Sequence, residues 1–127
     1  MPRYDHQFHP PAPCLPIALI HPTYPTRRRT VMGQLDTGAD ISAIPWAIIS
    51  ALALTYAGDL LVAGYGETAT RVPMYRLTLE IAGRTLDAMK VVGTPSNYAL
   101  LGRDVLNRFL TTLDGPHLSF EITASDL

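Results

Sequence analysis

Val31-Met32-Gly33-Gln34-Leu35-Asp36-Thr37-Gly38-Ala39-Asp40-Ile41-Ser42-Ala43-Ile44 is the stretch that decides how this chain reads. The apolar run 31–35 has strand character and delivers Asp36 to its end, and Gly38 lets the backbone turn at once into the second apolar run, 41–44. A carboxylate held on such a loop, with a hydroxyl beside it and a glycine leaving room for a ligand, activates water by taking its proton. One carboxylate cannot also protonate a leaving group. No second Asp-Thr-Gly or Asp-Ser-Gly occurs in the sequence, so the chemistry calls for two copies of the chain. The plain alternative is an ordinary turn, in which Asp36 bonds a backbone N–H two residues on and Gly38 takes a positive φ.

A distant element adds weight to the catalytic reading. Tyr98-Ala99-Leu100-Leu101-Gly102-Arg103-Asp104-Val105-Leu106 places an apolar pair ahead of Gly-Arg-Asp and the start of an amphipathic helix. Together, Leu35-Asp36-Thr37-Gly38-Ala39-Asp40 and Leu100-Leu101-Gly102-Arg103-Asp104 resemble the paired signature of the retropepsins, the single-domain, retroviral-type aspartic proteases, over residues 15–122 or so.

The resemblance implies a mainly β, acid-protease fold: a closed β-barrel of antiparallel hairpins with one or two short helices. It implies an aspartic endopeptidase working as a homodimer, with Asp36, Thr37 and Gly38 catalytic and the Thr37 hydroxyl bonding across the two-fold axis to hold both loops. Ala39 and Asp40 would lie against substrate, and Gly64, Tyr65 and Gly66 match the glycine-containing tip of the family's flap. Leu100, Leu101, Gly102 and Arg103 would support the loop from behind, with Asp40 and Arg103 as a buried bidentate pair. Ala39 stands where pepsin-like enzymes carry a hydroxyl that favours the ionised carboxylate. A working pH in the mildly acidic to neutral range is therefore expected. The implied partners are a second copy and a peptide or protein substrate. Whether pairing uses the termini, as in retroviral members, or another strand stays open, as does a silent peptide-binding or dimerisation module on the same fold.

Composition is consistent with this and excludes other classes. At 127 residues and 47% hydrophobic, one domain buries roughly two-thirds of its unfolded surface. Net charge is −1, Lys90 is the only lysine, and apart from Arg27-Arg28-Arg29 the arginines are scattered, so no nucleic-acid partner is expected. Cys14, the single cysteine, excludes an internal disulfide. The polar start lacks a leader pattern, and the apolar run 41–54 is broken by Pro45 and shorter than the roughly twenty residues of a membrane span. A cytoplasmic setting without membrane contact is the expectation. His6, His9 and Cys14 lack a fourth ligand at structural-site spacing, so no metal and no cofactor is expected.

Residues 1–13, with four prolines and two histidines, read as an extended arm, 14–122 as the protease domain and 123–127 as a tail. Strands are expected at 15–20, 28–35, 41–44, 60–62, 71–81, 85–92, 98–101, 111–113 and 117–122. Helices are expected from Pro45 and over 103–110. Tyr75, Leu77, Leu79 and Ile81 alternate with Arg76, Thr78 and Glu80, the period of a half-buried strand.

Overall fold

The computed structural model describes residues 2–63, 66 and 68–124. Nine strands and two short helices follow in the order β1 (Cys14–Ile20), β2 (Arg28–Leu35), β3 (Ala43–Pro45), α1 (Trp46–Leu52), β4 (Tyr56–Val62), β5 (Thr70–Ile81), β6 (Arg84–Thr94), β7 (Ala99–Leu101), α2 (Arg103–Leu106), β8 (Phe109–Asp114) and β9 (Ser119–Ala124). Strand β1 pairs with both β2 and β5, so β1-β2-β7-β3-β6-β5 closes on itself as a six-stranded barrel. Strand β4 extends from β5 outside the ring, and β8 and β9 form a separate two-stranded sheet.

The barrel closes around apolar side chains that the strands turn inward. Ile17, Leu19, Leu77, Leu79, Val91 and Leu101 of its strands are almost wholly shielded from solvent, as are Val105 of α2 and Phe120 of β9, which belong to the same core cluster. In β5 the apolar face is inward as the alternation requires, although Thr78 is buried as well. In β6 strict alternation fails: Leu86 and Met89 are three apart, yet both are buried. The register shifts opposite Leu77 and Leu79, with Ala88 at φ 56°. A β-bulge there inserts one residue and returns the following side chains to the core face.

Two expectations need correction. Pro45 is not the first residue of α1 but ends β3 and serves as N-cap, its φ of −53° already set for the turn into Trp46. The second helix does not run to 110. It is one turn, Arg103–Leu106, capped by Asn107. That turn already buries Val105 and Leu106, and residues 109–114 gain more by pairing with β9, from Phe109↔Ala124 to Asp114↔Ser119, than by continuing a helix in solvent. Two parallel pairings, β2 with β7 and β3 with β6, join what the sequence shows only as successive hairpins.

Residues 2–13 lie against the body of the domain. Arg3 bridges Ser119, the Tyr4 N–H donates to the Leu118 carbonyl at 2.8 Å, and the Phe8 and Tyr98 rings meet edge to face at 4.9 Å. Among the described residues no helix is long and apolar enough to cross a membrane.

Candidate active site

Asp36 follows β2 at the point where that strand runs parallel to β7, with Gly33 opposite Ala99 and Leu35 opposite Leu101. Gly33 permits this approach. A Cβ there would lie 3.0 Å from Leu101 Cδ1 and 3.2 Å from Ile17 Cδ1, so a side chain would push the supporting leucine away from the strand that aims the carboxylate. The Asp36 N–H then donates to the Leu101 carbonyl at 2.9 Å. Leu101 is fully buried, while Leu100 is half-buried and pairs with Gln34 and Ala43.

The loop after Asp36 is fastened along its length. Asp36 Oδ1 accepts the Gly38 N–H at 3.0 Å and the Asp36 carbonyl accepts the Ala39 N–H at 3.2 Å. Gly38 is not among the residues with positive φ, so the turn does not need glycine for its backbone angles. Space is the reason for it: a Cβ would sit 3.2 Å from Asp36 Oδ1, crowding the carboxylate. Gly102 is packed more tightly still, since a Cβ would come within 2.8 Å of the Ala39 carbonyl oxygen and 2.9 Å of the Ile41 carbonyl carbon. Its closeness brings the Arg103 N–H to the Ala39 carbonyl at 2.9 Å.

Arg103 brackets the loop from the far side. Nη1 donates to the Thr37 carbonyl at 2.6 Å and Nη2 to the Asp40 carboxylate. The expected Asp40–Arg103 pair therefore forms, but at the surface: 86% of the Asp40 side chain and 44% of that of Arg103 remain exposed. Its role is geometric more than energetic, because exposed ion pairs stabilise by less than about 1 kcal/mol. Arg103→Lys should accordingly leave the urea midpoint nearly unchanged while hydrogen exchange at residues 37–40 quickens, a lysine being unable to hold both oxygens at once. Equal exchange in the two proteins would show that the bracket is not needed.

A polar cluster behind the loop was missed in the sequence. Ser42 is buried, and Asp104 accepts both its N–H, at 3.0 Å, and its hydroxyl, at 2.7 Å, while the Ser42 hydroxyl accepts the Gly102 N–H at 3.0 Å. The available signal was a lone serine in the apolar run 41–44, which if buried must find a partner.

Two clefts flank the Asp36 loop, the first of them mainly apolar. One, of about 400 Å³, lies between residues 38–41 and β4 and is lined by Gly38, Ala39, Asp40, Ile41, Leu60 and Leu61 among others. Gly66, at φ 63°, is exposed in the β4–β5 connection. The other two residues assigned to the flap tip, Gly64 and Tyr65, lie outside the described residues. The second cleft, of about 380 Å³, opens on the Thr37 side, between Leu35 and β8. The Thr37 side chain is exposed, and no hydrogen bond to its hydroxyl forms among the described residues.

No protein-family model matches the chain, and no curated protein matches its sequence. Solved structures do match. The EIAV protease complexed with an inhibitor is 20% identical, with 76% of this chain and 86% of that one covered at a TM-score of 0.56. The simian foamy virus protease is 20% identical over 73% and 92% at 0.53, and a retropepsin-like aspartic protease from Rickettsia conorii 20% identical over 88% and 83% at 0.55. With its closed six-stranded barrel and short helices, the chain has the retropepsin-like fold of these proteases.

Proposed function

We propose that this protein is an aspartic endopeptidase active as a homodimer, each protomer supplying Asp36. The observation that carries the reading is the fastening of the Asp36 loop by Leu101, Gly102 and Arg103, which holds one carboxylate between two clefts on a fold shared with aspartic proteases. In the pair, two like charges so close are unfavourable, so one proton is shared between the carboxylates, as in aspartic-protease dyads. The ionised carboxylate takes a proton from a water held between them as its oxygen attacks the scissile carbonyl. The protonated one hydrogen-bonds the developing oxyanion, and a proton then passes to the leaving nitrogen. The apolar cleft against β4 would take side chains next to the cleaved bond.

Digestion of a peptide library over a range of protein concentrations tests this. Below the dimer dissociation constant only the pair is active, so halving the concentration should lower the rate about fourfold. Retained peptide affinity without cleavage would instead identify a silent binding module. A rate strictly proportional to concentration, with the protein monomeric throughout, would reject the shared site.

A further inference from the structure

The N-terminal arm is tied down at three places. At its start the Phe120 N–H donates to the Pro2 carbonyl at 3.0 Å and Arg3 bridges Ser119, which fixes residues 2–4 against β9. At its end the Pro13 carbonyl accepts the N–H of Leu35, the residue before Asp36, at 3.0 Å. Between them residues 5–12 form a small hairpin closed by Asp5 and Ala12, whose N–H groups donate to each other's carbonyls at 2.7 and 3.2 Å.

Asp5 also sets the tip of this hairpin. Its Oδ1 accepts the Gln7 N–H at 2.9 Å and its carbonyl accepts the Phe8 N–H at 3.4 Å, a turn that fixes the backbone leading to Phe8. Among the described residues, 5–12 make backbone hydrogen bonds only with one another. A cavity of about 270 Å³, lined by Asp5, Gln7, Phe8, Met32, Asn97 and Tyr98, lies between hairpin and barrel, so the hairpin holds the barrel through side chains. The Phe8 ring meets Tyr98 edge to face, 4.9 Å between centroids and 85° between planes, a geometry in which aromatic pairs attract beyond what burial alone supplies.

Tyr98 is the residue that leads into β7, and β7 is the strand that aims Asp36. It is three residues long, meets β3 at the single pair Ala43↔Leu100, and gives the Leu101 carbonyl to the Asp36 N–H. So short a strand has few bonds of its own to fix it. The arm grips both members of the parallel pair, β2 through Pro13 and Leu35, β7 through Phe8 and Tyr98. We propose that Phe8 is a positioning residue of the candidate active site: from the N-terminal hairpin it pins Tyr98, keeps β7 seated beside β2, and thereby holds the Asp36 carboxylate in place. The kinetic half of this rests on the protease reading above; the structural half does not.

Amide hydrogen exchange and peptide cleavage on Phe8→Ala, Phe8→Tyr and wild type test the assignment. In Phe8→Ala the Asp36 amide, which reports the bond to Leu101, should exchange about fivefold faster, the effect of losing one aromatic pair, while amides of β5 and β6 keep their wild-type rates. With the carboxylate less well placed, kcat should fall about tenfold. KM should stay unchanged, because the residues lining the cleft against β4 include none from the arm. Phe8→Tyr keeps the ring and should match wild type in every reading. Equal Asp36 exchange in Phe8→Ala and wild type would overturn the proposal. So would faster exchange in β5 and β6 by the same factor, which would make the arm a contributor to global stability alone, or a rise in KM at constant kcat. A wild type inert toward peptides, with Asp36 exchange quickened selectively in Phe8→Ala, would uphold the positioning role and reject the protease reading. Should Phe8→Ala misfold, Tyr98→Leu removes the other ring, and a wild-type exchange rate at Asp36 in that variant would overturn the proposal.

Discussion

Asp36→Asn is expected to lower peptide cleavage by about ten-thousand-fold while leaving the fold and the pairing of two chains in place. The substitution keeps the side-chain shape and an oxygen able to accept the Gly38 N–H, a bond of 3.0 Å in the native loop. The backbone N–H still donates to Leu101. What disappears is the group that the proposed mechanism uses to take a proton from water, and it disappears twice per dimer. Asparagine is neutral and of the same shape, so the two side chains can still approach each other and the variant should still pair. Peptide digestion and sedimentation on the same preparations measure both halves. Residual cleavage within tenfold of wild type would mean that Asp36 is not the base.

Asp104→Ala should produce the largest loss of stability among changes near the site. Its carboxylate accepts the N–H and hydroxyl of Ser42 and also the Val105 N–H at 3.0 Å. Ser42 is only 1% exposed, and both of its donors lose their acceptor when the carboxylate goes. Two orphaned polar groups at that depth amount to about 3 kcal/mol, a fall in Tm on the order of 10 °C for a domain of this size. Asp104→Asn retains one acceptor oxygen and should lose about half as much. The same cluster holds Gly102 against the Asp36 loop, so cleavage should fall even at temperatures where the variant is folded. An Asp104→Ala protein with wild-type Tm would show that Ser42 finds another partner and that the cluster is incidental.

Much of the strand order is legible by eye because the period-two pattern and the turn residues agree. The strands read at 28–35 and 71–81 are found as Arg28–Leu35 and Thr70–Ile81, and Ala82-Gly83 turns between β5 and β6, both residues at positive φ. The helix read over 103–110 was wrong past Leu106, since the spacing of Val105, Leu106, Phe109 and Leu110 suits a helix and says nothing of the strand β9 waiting to pair with residues 109–114. In the same way Asp40 and Arg103 were legible as partners and not as a surface pair, because exposure depends on what else packs there.

By itself the sequence determined that β2 ends in a carboxylate followed by a small, tight loop, and that an apolar pair before Gly-Arg-Asp is available to back it. Those are local properties, set by side-chain size, backbone freedom and the alternation of a strand. Only the tertiary structure decided that β7 runs parallel beside β2, that Ser42 and Asp104 meet behind the loop, and that β8 pairs with β9 rather than continuing α2. Contacts between residues some sixty positions apart depend on how the barrel closes, and closure is a property of all six strands together, which no single segment encodes.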